Sequence, residues 1–273
     1  MIILSIFFVQ NSYAQDDEPA LAKVYYTLKH KRDTTKKDSI YFENMILYVG
    51  KNISLFTSLD RVEQKLKIGK SIEEQTKNWT GPGSPRFKAL SGLRKTSNQD
   101  IFQFQKEKKI IINEYLILNY LYEDSFDEIE WRLFAETKYF NKIKCQKATA
   151  NYKGRKWEVW FAPEIPFETG PWKLHGLPGL IVEAVDSTKQ IQFLFNGFEN
   201  LNDNQVHNLI KIPNNAIKAN LVSIIKLKSA MYANAKGFFT AQLQAARGIL
   251  DAKEVEGFSF KKINNPIELT ENK

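Results

Sequence analysis

CQKATANYKGRKWEVWFAP, residues 145–163, and LIVEAVDSTKQIQFLFNGF, residues 180–198, decide the fold. In the second stretch Val182 and Ala184 alternate with Glu183, and Ile191, Phe193 and Phe195 alternate with Gln192 and Leu194. A period of two sends successive side chains to opposite faces, so each run reads as a strand lying on a core. Tyr152-Lys153-Gly154-Arg155 and Asp186-Ser187-Thr188-Lys189 carry turn chemistry between such runs and read as hairpin tips.

The same signal extends upstream through IFQFQ (101–105), KIIINEYLILNYLY (109–122) and WRLFAETKYF (131–140). Nearer the N-terminus, LAKVYYTLKH (21–30) alternates Val24, Tyr26 and Leu28 with polar residues, and IYFENMILYVG (40–50) and ISLF (53–56) follow. Tyr41, Phe42, Met45, Ile46 and Leu47 demand burial, and Gly50-Lys51-Asn52 offers a turn. His30-Lys31-Arg32 through Lys36-Lys37, broken by Asp33, reads as a solvated turn. No strand–helix–strand rhythm appears, which excludes a doubly wound parallel sheet. The expectation is a mainly β (α+β) protein, an antiparallel curved sheet or half-barrel, with its main helices at about 58–77 and 216–250.

For the first helix, Leu59, Val62 and Leu66 recur at helical spacing and Thr57 with Asp60 resembles a capping pair, while Gly69 weakens the middle. In the C-terminal part Ile217, Leu221, Ile224 and Ile225 share a helical face that Met231 continues, and FFTAQLQAARGIL follows Gly237. Between Trp79 and Asn98, Gly81-Pro82-Gly83-Ser84-Pro85 marks a long loop without the Gly-Lys-Ser/Thr ending of a phosphate-binding loop. The tail beyond Lys261 is polar and reads as frayed. No internal repeat or composition break divides the chain, which gives one domain over residues 15–273.

The 273 residues, 43% of them hydrophobic and 26% charged, suffice for a sizeable core and exclude a disordered or collagen-like chain. A formal net charge of +8 favours anionic partners, but the Lys and Arg are scattered among Asp and Glu. Nucleic acid is therefore not expected. The opening MIILSIFFVQNSYAQ reads as a secretory signal, with an apolar run from Ile2 to Val9 and cleavage after Ala14. It lacks a charged n-region, so the true signal is expected to be longer. Nothing else approaches the roughly 20 apolar residues of a spanning helix, so the mature chain is expected to carry no transmembrane segment. Cys145 is the one cysteine, which rules out an internal disulfide; burial is the common fate of such a thiol.

Several ordered elements lie between residues 145 and 181: Cys145-Gln146-Lys147-Ala148-Thr149, Gly154-Arg155 with Trp160, Glu164-Ile165-Pro166, Gly170-Pro171 with Lys173, and Gly176-Leu177-Pro178-Gly179-Leu180-Ile181. Together with Trp131 and Glu183 they resemble the signature region of the GLPGLI family of exported Bacteroidota proteins. The resemblance implies export, commonly near TonB-dependent transporter systems, and a place in the periplasm, at the outer-membrane periphery or outside the cell. It brings no established catalytic residue and no cofactor.

Read physically, Gly170-Pro171 and Pro178-Gly179 are turn dipeptides that bracket Trp172 to Leu177, and Leu177, Leu180 and Ile181 can tie this loop to the core. The sharper reading is a ligand site in which Trp172, Lys173 and His175 stand between the bends, with Arg155 and Trp160 on the preceding hairpin. Aromatic faces with cationic donors suit a peptide, a glycan or an anionic group. The leading expectation is thus an envelope-associated binding module for a peptide, glycan or protein partner. Two alternatives remain. One is a hydrolase or peptide-processing enzyme using Cys145 with His175, or the carboxylates Asp127, Glu128 and Glu130. The other is metal handling in the envelope with Cys145 and His175 as ligands; His30 and His207 show no ligand spacing, and no GxSxG elbow is present.

Overall fold

The computed structural model describes residues 17–36, 39–81, 91–201, 210–245 and 263–269; the signal at 1–14 lies outside them. One 12-stranded sheet carries the described fold. Its first strands are β1 (Ala22–His30), β2 (Tyr41–Val49) and β3 (Ile53–Ser58), followed by helix α1 (Leu59–Lys77). Next come β4 (Gln99–Phe104), β5 (Lys109–Leu116), β6 (Leu118–Asp124), β7 (Arg132–Phe140), β8 (Ile143–Tyr152) and β9 (Arg155–Ala162). After a long loop, residues 163–179, follow β10 (Leu180–Asp186), β11 (Ile191–Asn200), β12 (Ile217–Lys218), α2 (Leu221–Ala233) and α3 (Ala235–Ala245).

The strand order is β12-β6-β5-β4-β3-β2-β1-β11-β10-β9-β8-β7, so β12 and β7 remain at opposite ends and the sheet does not close into a barrel. Every pairing is antiparallel except β12 on β6. The expected curved antiparallel sheet is therefore what forms. Its curvature is visible in cross-sheet contacts made by one face. Ser54 of β3 bonds Thr169 at 2.8 Å, Gln103 of β4 donates to the Trp172 carbonyl at 2.8 Å, and Asp124 of β6 reaches Lys173. All three targets lie on the loop after β9, which fills the hollow of the sheet.

Alternation builds this inner face. Ala22, Val24, Tyr26, Leu28 and His30 of β1 point inward, as do Trp157, Val159 and Phe161 of β9. Phe56 meets Phe193 and Tyr26 edge to face, at 5.7 and 6.2 Å between ring centroids. The reverse face of β2–β6 holds a second cluster, with Ile46, Tyr48, Leu55, Phe102 and Ile111 covered by Ala20, Ile210 and Ile212. This half of the sheet is therefore buried on both sides, which explains its continuous apolar runs.

Several expectations need correction. KIIINEYLILNYLY is two strands, reversed at Ile117 with φ +75°, a conformation that costs a β-branched side chain and that no turn residue announces. Helix α1 is capped by Ser58, whose side chain accepts from Arg61 N, while Asp60 instead accepts from the Asn44 backbone and side-chain amides. Leu66 is 61% exposed and Phe42 is also exposed, so neither joins the core. What anchors α1 is the buried Arg61, bonded to Asp100, Thr57 and the carbonyls of Ser97 and Gln99. Ile217 belongs to β12, not to a helix; α2 begins after an Asn220 cap, the helix breaks at Asn234, and residues 246–250 fall outside the described chain. Of the loop expected at Trp79–Asn98, residues 82–90 are likewise outside, and those on either side are irregular. His30 is buried rather than solvated. No helix among the described residues is long and apolar enough to cross a membrane.

Two glycines separate architecture from accident. A Cβ on Gly179, at φ +148°, would sit 2.2 Å from the Ala162 carbonyl oxygen, whereas one on Gly69 in α1 would meet nothing within 4 Å. Gly179→Ala is expected to lower unfolding free energy by about 2 kcal/mol or more, and Gly69→Ala to raise it by about 0.5–1 kcal/mol. Urea titrations of both variants check the contrast; equal effects would contradict it.

Candidate functional site

The β8–β9 hairpin turns through Lys153 and Gly154, at φ +48° and +74°, the pair of left-handed residues that a two-residue turn of this twist requires. Gly154 has a further reason to be glycine: a Cβ there would lie 2.8 Å from Leu269 Cβ. The chain that passes so close is the C-terminal segment 263–269. Of the tail expected to fray beyond Lys261, residues 263–269 instead form a strap docked across the sheet, with Asn265 and Glu268 buried.

Arg155, first residue of β9, is buried and wholly engaged. Its guanidinium pairs with Asp186 at 3.1 Å and donates to Ile267 O at 2.7 Å, Asn265 Oδ1 at 2.6 Å and Pro266 O at 2.5 Å. His30 Nε2 lies 2.7 Å from Asn265 O, and Asn265 Nδ2 donates to Lys31 O and Gln190 Oε1. Asn264 pairs with Thr34 and Asp33, and Leu269 N donates to Lys153 O. At the other end of the strap, Lys173 Nζ sits 2.5 Å from Glu268 Oε2 and 2.5 Å from Asp124 Oδ2, with Lys153 also 3.5 Å from Glu268. Backbone and side-chain groups of the strap, which bends at residues 264, 265, 267 and 269, are thus gripped along its length.

The loop that carries Lys173 is held rigid from within. Leu174 N donates to Pro171 O, Gly176 N to Glu168 O and Ile181 N to Thr169 O. Gly170 packs so tightly that a Cβ would lie 2.7 Å from Ile181 Cβ. Trp172, at φ +59°, is buried against Trp157 and Tyr152, each 5.9 Å between centroids. His175 is buried too: its ring lies 3.9 Å from that of Phe126, its Nδ1 2.9 Å from Lys173 O, and its carbonyl accepts from Trp131 Nε1. Burial first of all holds its pKa below the usual histidine range. Of the hexapeptide, Leu177, Gly179, Leu180 and Ile181 are buried while Gly176 and Pro178 are exposed.

The five residues read as ligand-binding therefore divide. Arg155, Trp172, Lys173 and His175 converge on the inner face around loop and strap. Trp160 does not, because strand parity turns it to the outer face, against Phe140 and under Lys138. Cys145 shares that outer side and is fully buried; its surroundings are Lys138, Glu183 and the Ile143 carbonyl, whereas His175 faces Phe126, Tyr152 and Asp127. Burial pushes the Cys145 thiol up to about 12, so it carries no thiolate at neutral pH. Glu128 and Glu130 are exposed, and Asp127 is tied to Lys153 at 2.6 Å, which holds its carboxyl below the usual range. No group of three metal-ligating side chains occurs among the described residues. Asp124, Asp186, His30 and the strap itself carried no sequence signal beyond the lone Pro266 in a polar tail.

A family profile described as a protein of unknown function (Porph_ging) matches residues 102–183, which run from the second half of β4 to Glu183 in β10 and include the hairpin and the loop. No curated protein matches the chain. Among solved structures, PNGF-II in the P21 space group superposes with a TM-score of 0.52 at 11% identity, covering 77% of this chain. PNGF-II in the C2 space group gives 0.50 at 12% identity, covering 75%. The matched region is 32% of each of those chains, so this chain spans about a third of their length. At that identity the likeness establishes the fold alone.

His30 makes the strap's seat sensitive to acid. Burial first of all lowers its pKa from 6.5 to about 4, so between those values the unfolded chain binds a proton that the folded chain refuses. Stability from this group is whole above pH 6.5 and falls as pH drops toward 4, by on the order of 3 kcal/mol. Urea titrations at pH 7 and pH 4.5 should show a smaller loss for His30→Gln than for the wild type. Identical losses would rule the linkage out.

Proposed function

We propose that this chain is a GLPGLI-type exported protein whose work is binding, not catalysis, and that its ligand is a peptide segment of a partner in the envelope. One observation carries the reading: Arg155, Lys173 and His30 already grip a peptide, the chain's own strap, in a buried seat. The resemblance of residues 145–181 supports the exported family, and the opening apolar run supports a location in the periplasm, at the outer-membrane periphery or outside the cell. A component of a TonB-dependent transporter system fits as the partner on the same grounds. Thiol catalysis gains no support from a buried Cys145 pushed up to about 12, nor does metal handling from a thiol and an imidazole with separate surroundings.

The seat selects by chemistry. It takes an Asn side chain between the Lys31 carbonyl and Arg155, and a carboxylate three residues later beside Lys173 and Lys153. Because the strap is tethered, its high local concentration masks the seat from free peptide. A labelled peptide of residues 263–269 should therefore bind the full chain carrying Asn265→Ala with Glu268→Ala at least about tenfold more tightly than the wild type. If the weakened strap leaves peptide binding undetectable, the reading fails.

A further inference from the structure

Among the described residues, strand β7 is the long open edge of the sheet, since the opposite end is the two-residue β12. Its side chains are mostly exposed on both faces, Leu133 by 49% and Tyr139 by 63%. It turns into β8 through Asn141-Lys142, with Phe140 opposite Ile143. The pair flanking a two-residue turn exchanges both hydrogen bonds, so Phe140, and by alternation Lys138, direct their N–H and C=O at β8. Thr137 and Tyr139 then direct theirs at the free edge. Between Leu133 and Thr137 the register shifts, with three residues facing Lys147 alone, and the excess chain bows outward.

Charges and bulges commonly guard such an edge. Against a copy of itself this edge has no guard, because the run Phe134-Ala135-Glu136-Thr137-Lys138-Tyr139-Phe140 is complementary to its own reverse. Laid antiparallel with Thr137 opposite Thr137, Glu136 meets Lys138 twice and Phe134 meets Phe140 twice. These four share the outer face: Lys147 reaches Glu136 at 3.4 Å and lies 5.8 Å from the Phe134 ring, and Lys138 lies 4.2 Å from the Phe140 ring. The hydrogen-bond phase agrees, since Thr137 would pair with its twin through the groups it directs outward. Moving the two-fold centre one residue either way sets Glu136 against Glu136 or Lys138 against Lys138, so charge selects the register.

We propose that β7 is a homodimerisation edge, joining two copies of this chain into one continuous sheet through antiparallel β7–β7 pairing about Thr137. The closed two-fold contact consumes both edges, so association stops at the dimer. Residues 134–140 hold none of the strap contacts described above, and the contact does not depend on peptide binding.

Sedimentation velocity of the full chain across a concentration series tests it. The wild type should dimerise; Glu136→Lys, which faces lysines across both ends, should weaken the dimer by about tenfold or more. Glu136→Lys with Lys138→Glu restores opposite charges at both contacts and should return dimerisation to the wild-type level. The intrachain pairs that these changes disturb, Lys147–Glu136 and Lys138–Glu183, each have a half-exposed or exposed partner, so the monomer's fold is little affected. A wild type that stays monomeric overturns the proposal. So does a dimer indifferent to Glu136→Lys, or a double reversal that fails to restore it.

Discussion

One buried ammonium ties the described parts of this molecule together. Lys173 lies between Asp124, at the end of β6, and Glu268, on the C-terminal strap, while its own backbone belongs to the loop after β9. Burial alone would drive its proton off, but the two carboxylates outweigh that and hold its pKa above the ordinary lysine value. Such a charge is tolerable only while both partners are in place. Three segments remote in sequence are thereby committed to one geometry. The end of β6, the loop and the docked tail meet at this one group, and Arg155–Asp186 stands at the strap's other end.

This arrangement gives the hexapeptide at 176–181 its meaning. Gly179 lets the chain pass against the Ala162 carbonyl, and Leu180 and Ile181 start a strand whose backbone also receives the Tyr26 hydroxyl, 2.8 Å from Ile181 O. These residues place the loop. The loop in turn places Trp172, Lys173 and His175, and it turns them inward, toward the strap.

How much of this was legible follows from what each feature rests on. The strands of 145–163 and 180–198 and their hairpins were readable because alternation and turn chemistry are local. Trp160 could have been separated from Arg155 by parity alone, since five steps along a strand reverse the face. The reversal at Ile117 was invisible, because the surrounding pairing, not a turn residue, forces its left-handed backbone. The strap was the largest loss. Asn265 and Glu268 are polar in the sequence and buried in the fold, and only partners remote in sequence, Arg155, His30 and Lys173, make that burial tolerable. Arg155 and Lys173 were singled out as binding residues from their type and neighbours; what they bind could not be read from them.

The central claim is that Lys173 and Glu268 act as a unit holding the tail to the sheet. A double-mutant cycle tests it most directly: unfolding free energies in urea at pH 7 for the wild type, Lys173→Met, Glu268→Gln and the double variant. The account predicts a coupling of about 2 kcal/mol or more, the double variant being far less unstable than the sum of the singles. Additivity within about 0.5 kcal/mol would contradict it.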